Sequence, residues 1–387
     1  MSSGYRVHYV WLQLARGIAA LAVVLTHAAL MHERTFDNTF FGNIFSAGNV
    51  GVDFFFVLSG FIICFVHKND IASPKMFFTY CEKRFTRVYP IFWLIMLPLI
   101  PAYYFGLGGQ KSFDGDWWYV IKSVLLIPQD NLPILSVAWT LTHEVYFYLL
   151  FALLIVLPRS ISFPLLAMIA SLSLWKLFMD YGEQWHGSKY ITGATFLDQS
   201  MILSFATSRH TVQFFAGCLV AHLCERRTSG MSLSATLGTY AIFFLPFLSS
   251  VTEAGFFHEV LTNRSLRTIY YTLASGLVVY CSIQLQFAPK ATSPPGSLSK
   301  MGDSSYSLYL IHYPIILTFF VFVSGFADST SIYGTHLFTV FSIVLALLGG
   351  WITYFYFERP LLRISRNAFK KRFLSATQSH SSAEGTS

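Results

Sequence analysis

Charge is what this chain has least of. Asp, Glu, Lys and Arg make up 12% of its 387 residues, about half the share found in an ordinary soluble domain. With 54% of residues hydrophobic and a mean hydropathy of +0.53, so little polar surface excludes a water-soluble globule, and most of the surface must be solvated by lipid. Cysteine is also sparse. The five present (Cys64, Cys81, Cys218, Cys224 and Cys281) form no Cys-x-x-Cys pair and no metal-ligand spacing, so no metal site is expected. Cys64, Cys218 and Cys281 fall in apolar runs and read as reduced packing residues. No internal repeat is visible, which argues against an inverted-repeat transporter. Nor is there a cleavable signal: the first apolar run carries Arg16 and His27, lacks a small-residue cleavage site, and reads as a retained helix.

What the chain has in abundance is aromatic: 39 Phe, 21 Tyr and 8 Trp, suited to lipid-facing rings and interfacial belts. The formal net charge of +7 sits in short segments between apolar stretches. It therefore reads as orientation by the positive-inside rule, with membrane lipid and not nucleic acid as the partner.

A spanning helix needs about 20 mostly apolar residues. Windows of that length predict an all-α, polytopic membrane bundle of about ten spans: 9–31, 45–66, 88–106, 139–157, 161–179, 210–223, 233–250, 269–287, 304–323 and 336–357. The sixth is short, so its start is expected a few residues earlier. The run from Trp117 to Ile127 is too short to span and reads as interfacial or re-entrant. With both ends in the cytoplasm, 17 Lys and Arg fall on the inner side, 7 on the outer, and 2 (Arg16 and Lys176) within spans. That asymmetry predicts an N-in, C-in topology. Residues 1–366 then form the membrane domain, 288–303 a cytoplasmic connector, and 367–387 a disordered cytoplasmic tail.

The chemistry lies inside the spans, where ionisable groups are costly and usually line a site. Arg16 and His27 are eleven positions apart, which puts both on one face of a helix and separates them by roughly 16 Å along its axis. The plain alternatives are that Arg16 reaches back to the interface and that His27 bonds a neighbouring helix. Asp53 is the lone carboxylate of the second span, and His27 or Arg16 is its expected partner. Arg84 and Arg87, three apart, form a fork suited to phosphate, or serve simply as positive anchors. Glu144 is expected at a depth comparable to His27 and Asp53. Tyr306 and His312 open the ninth span, with Pro314 just behind; for His312 a structural and a functional role stand equally open.

Together these residues carry a resemblance. Arg16 with ten residues before His27; Gly51-Val-Asp53-Phe-Phe-Phe-Val-Leu-Ser-Gly60-Phe; Arg84-x-x-Arg87; Trp139 through Glu144 to Tyr148; Ser305-Tyr306-Ser-Leu-Tyr309-Leu-x-His312-x-Pro314; and Glu358-Arg-Pro360 resemble the membrane-bound acyltransferase family 3, in the branch that acylates exopolysaccharides and O-antigens. The match runs in order over nearly the whole chain, and the six motifs are specific only together. One departure is His143-Glu144, where relatives often carry two adjacent acidic residues. Some relatives also carry a fused extracytoplasmic esterase-like domain that is not seen here, so the membrane domain is expected to meet the acceptor itself.

The resemblance implies a multi-pass enzyme of a bacterial inner membrane with no permanently bound cofactor. It would take an acyl group, acetyl first among candidates, from cytoplasmic acyl-coenzyme A and deliver it to a hydroxyl of a polysaccharide or its lipid-linked precursor. Arg16, Arg84 and Arg87 would hold the donor. His27 would act as general base, oriented or charge-balanced by Asp53 or Glu144; an acyl-histidine relay is the alternative chemistry. Tyr306 and His312 would serve the acceptor or the structure. The competing class is a transporter that uses the intramembrane His, Asp and Glu as a relay.

Overall fold

The computed structural model describes residues 9–42, 44–106, 115–186, 197–226, 230–249, 263–287, 301–325, 331–365 and 367. Their regular structure is all helical, with no strand among them. The long elements are α1 (Val10–Phe36), α2 (Val50–His67), α3 (Phe77–Met96), α6 (Trp139–Val156), α7 (Arg159–His186), α9 (Arg209–Arg226), α10 (Leu233–Ser249), α11 (Arg264–Gln284), α12 (Ser305–Val323) and α13 (Ile332–Thr353). Short helices α4 (Leu99–Tyr104), α5 (Trp117–Leu125) and α8 (Met201–Ala206) lie between them.

Seven of the described helices are long and apolar enough to cross a membrane. They match seven of the ten expected spans, and the other three differ for visible reasons. The third span is displaced: α3 begins at Phe77, takes in Lys83, Arg84 and Arg87, and ends at Met96 before Pro98 and α4. α9 carries charged residues at both ends and Gln213 within, while α10 fills its expected window but, at 17 residues, is shorter than any of the seven. α5 is a nine-residue helix whose first turn is capped by Asp116, too short to span, as its length in the sequence implied. The connector at 288–300 and the tail from 368 onward lie outside the described residues.

A large share of the apolar side chains faces outward. Leu149 and Leu153 on α6, and Val340, Phe341, Val344 and Leu348 on α13, are exposed, as expected where lipid replaces water. Inside, α2 is the central element and packs against α1, α6, α9 and α11. Small residues set that closeness. A Cβ placed on Gly60 would collide with the carbonyl oxygen of Phe214, and one on Gly217 with that of Val57, so α2 and α9 meet backbone to backbone. The same seam brings Cys64 and Cys218 to a Cα separation of 5.3 Å, where they form a disulfide. This corrects the expectation that both are reduced; Cys81, Cys224 and Cys281 are free, as expected of Cys281.

Because helix backbones cannot retreat as a side chain can, Gly217→Val should cost roughly 3 kcal/mol or more, the upper end of overpacking penalties. Gly238, with nothing within 4 Å of its added Cβ, is the control. Thermal unfolding in detergent should show a large drop for Gly217→Val and little change for Gly238→Ala. Equal melting temperatures for the two variants would contradict the close-packed seam.

Candidate active site

Between α1, α2, α3, α6, α12 and the chain after α13 lies a cavity of about 440 Å³. One end is charged. Arg84 and Arg87 come from α3, Arg16 from α1, Glu144 from α6, and Glu358 from the π-helical turn Tyr354–Glu358 that ends α13. Such π turns re-aim side chains that a regular helix would point elsewhere. Away from this end the wall becomes apolar and aromatic. Along α2 the lining runs from Ile63 to Val52, a path of about 16 Å by helical rise, and it reaches Phe55 and Tyr309.

The arginines are held in different ways. The Nη1 of Arg87 donates to Glu358 Oε1 at 2.8 Å, and the Ser307 hydroxyl donates to Oε2 of the same carboxylate at 2.6 Å. Arg87 also lies over the Tyr306 ring, 5.1 Å from its centroid, and the Tyr306 hydroxyl donates to the carbonyl of Val88. Arg16 donates to Gln13 Oε1 at 2.9 Å and to Ser305 Oγ at 3.0 Å. Arg84 lies 5.3 Å from the Tyr148 ring centroid and 5.7 Å from that of Tyr80, and the Tyr148 hydroxyl donates to Glu144 Oε1. Only Arg87 has a carboxylate partner among the described residues. Arg16 and Arg84 thus place two cations in the wall with neutral bonding partners, and the Nε–H of Arg84 is buried with no acceptor among the described residues. Asp303 and Glu144, also in the lining, act on Arg16 only through space, which leaves the donors of both guanidiniums able to engage an anion.

His27 is not in the cavity wall. Its Nδ1 lies 3.0 Å from the Val23 carbonyl and 3.2 Å from Nε2 of His312, while Nδ1 of His312 lies 3.0 Å from the Leu308 carbonyl. A carbonyl only accepts, so both Nδ1 atoms carry the proton. His312 Nε2 then accepts from His27, and His27 Nε2 keeps its lone pair. The Tyr309 ring is 5.8 Å from His312 and 6.1 Å from Phe55. The histidine pair therefore sits just behind the aromatic end of the cavity.

Two expected pairings are corrected. Asp53 does not meet His27 or Arg16; it turns toward α9, where Gln213 Nε2 donates to it at 2.6 Å and Gln213 Oε1 accepts from His210 at 3.0 Å. The register of α2 on α1 explains this: Gly51 packs on Ala19, far below His27. Glu144 is not at the depth of His27 either; it faces the arginine end of the cavity. The partner of His27 is His312. Sequence reading passed over Glu358 as a partner of Arg87, although its motif was visible, and passed over His67, which touches Arg84.

The fold and site together define a multi-pass helical membrane protein with a cation-lined cavity buried in its bundle. A family model described as an acyltransferase domain matches residues 9–355, and the chain belongs to this acyltransferase 3 family. The chain is similar to the exopolysaccharide production protein ExoZ of Rhizobium meliloti, 27% identical over 338 residues that cover 84% of this chain and 93% of the relative. It is also similar to the peptidoglycan O-acetyltransferase OatA of Listeria monocytogenes (26% over 330 residues, 78% and 48%) and to the O-acetyltransferase OatA of Staphylococcus aureus (25% over 348 residues, 84% and 54%). The chain thus spans about half the length of the OatA relatives. No solved structure matches.

Proposed function

We propose that this chain is an O-acyltransferase of a bacterial inner membrane. It crosses the bilayer ten times with both termini in the cytoplasm and moves an acyl group, acetyl in the first instance, from cytoplasmic acyl-coenzyme A to a hydroxyl of a polysaccharide or lipid-linked glycan. The observation that carries this reading is the cavity, with two guanidiniums that have no carboxylate partner among the described residues at one end and an apolar channel leading from them toward a histidine pair. Phosphates suit the first and a narrow, largely uncharged thioester arm suits the second. In the N-in topology Arg84 and Arg87 face the cytoplasm, where the donor is found, and His27 lies toward the outside.

In this account the donor phosphates engage Arg84 and Arg16 and share Arg87 with Glu358. The arm lies along α2, and the Phe55 and Tyr309 rings turn aside to let the thioester meet His27. Nε2 of His27 takes the proton of the acceptor hydroxyl as its oxygen attacks the thioester carbonyl. The C–S bond breaks, and the proton passes to the departing thiolate, leaving an ester and free coenzyme A. His312 fixes the tautomer. Asp53, bonded to Gln213, acts on this step only by shaping the bundle, and Glu144 by charge at the donor end.

The test uses membranes holding this chain and labelled acetyl-coenzyme A. Label should appear in a glycan or lipid-linked glycan, and be absent from membranes without the chain. No transfer to any glycan from acetyl or succinyl donors would overturn the reading.

A further inference from the structure

At the last residue of α2, just outside the cavity, His67 is buried with 2% of its surface exposed. Its Nε2 lies 2.5 Å from Nη2 of Arg84, and its Nδ1 lies 2.7 Å from Oδ2 of Asp70. A guanidinium can only donate, so Nε2 of His67 must be the lone-pair nitrogen and Nδ1 must carry the proton, given to Asp70. The chain Asp70–His67–Arg84 is therefore polarised in one direction. The carboxylate sets the tautomer, the imidazole offers a single acceptor, and that acceptor holds the arginine. Tyr80 packs on the imidazole edge to face, its ring centroid 5.0 Å away, and Phe151 closes the far side at 6.1 Å.

From this geometry we infer that His67, oriented by Asp70, is a positioning residue that aims Arg84 into the donor end of the cavity and releases it when protonated. The inference rests on the reading of that cavity as the acyl-coenzyme A site. Protonation of Nε2 removes the acceptor and sets two cations in contact, so the docked arginine and a charged imidazole exclude each other. The charged groups facing His67 are Asp70 from the turn after α2, and Arg84 and Lys83 from α3; from α6 the Phe151 ring packs on it. One carboxylate thus opposes two cations, and Arg84 is in direct contact.

Donor kinetics of the full chain in membranes test this. His67→Ala should raise KM for acetyl-coenzyme A about ten- to a hundredfold, the worth of a hydrogen bond to a charged group, with kcat nearly unchanged. In an Arg84→Ala background the same substitution should add nothing, since its target is gone. His67→Gln, whose amide oxygen can accept from Arg84 but does not titrate, should restore KM. It should also abolish the rise in KM expected of the wild type on acidification. If His67→Ala does not accumulate, the pH profile of His67→Gln decides alone.

A donor KM that is unchanged in His67→Ala, or a His67→Gln profile with the wild-type acid limb, overturns the inference and leaves the acyltransferase reading intact. A wild-type protein with no saturable dependence on acyl-coenzyme A overturns both.

Discussion

His27→Ala is expected to lower kcat for acyl transfer by roughly 10²–10⁴-fold, the usual worth of a positioned general base, while acyl-coenzyme A binding changes little. The expectation of unchanged binding comes from position: His27 lies behind Tyr309 and outside the wall that holds the arginines. The expectation for rate comes from its bonds. With Nδ1 donating to the Val23 carbonyl and to His312, the lone pair is confined to Nε2, and the ring cannot turn without breaking both contacts. His312→Ala removes one of the two and should cost about tenfold in kcat, the scale of losing a supporting hydrogen bond. His312→Gln, whose side-chain oxygen can accept from His27, should recover most of that. The check is a single-turnover assay with acid quench. A labelled protein adduct that disappears in His27→Ala would favour an acyl-histidine relay over base catalysis. A His27→Ala enzyme at wild-type rate would remove His27 from the chemistry altogether.

The second large effect falls on stability. Glu358 is 1% exposed and its carboxylate is satisfied by Arg87 and Ser307. Arg87→Ala leaves that charge buried with only a hydroxyl donor, and breaking a buried pair from one side costs about 3–5 kcal/mol. Donor affinity should fall as well, since Arg87 lines the cavity. The two losses can be separated. Arg87→Met combined with Glu358→Gln removes both charges, so the melting temperature should return most of the way while KM for the donor stays high. Recovery of donor KM in the double variant would show that Arg87 holds Glu358 and nothing else. A melting temperature equally low in single and double variants would contradict the buried-pair account.

Much of this was legible in the sequence, and the parts that were not share a cause. The apolar windows predicted the helices, because a lipid-solvated chain must satisfy its backbone within each span. Helical periodicity placed Arg16 and His27 on one face, and the spacing of Arg84 and Arg87 marked them as a pair. Periodicity gives the face of a helix but not its neighbour. Asp53 illustrates the limit: its partner Gln213 is 160 residues away, on a helix whose polar residues made it a weak span. Arg87 and Glu358 are 271 apart, and His27 and His312 are 285 apart. Each pair exists only because the bundle closes in one particular order. His67 was the nearer miss. It lies three residues before Asp70 and 17 before Arg84, across the tight connection between α2 and α3, so a helical-hairpin reading of that turn could have found it. It was passed over because the end of a span reads as a solvated edge.

The central claim is that the cavity holds the acyl donor with its phosphates on the arginines and its thioester toward the histidine pair. An experimental structure of the protein with bound coenzyme A or a non-hydrolysable acyl analogue tests this most directly. The account predicts phosphate oxygens within hydrogen-bond reach of Arg84 and Arg16, the arm along α2 between Ile63 and Val52, and the sulfur beside Tyr309 facing His27. A donor bound elsewhere, or one seated with its sulfur at the arginine end, would contradict it.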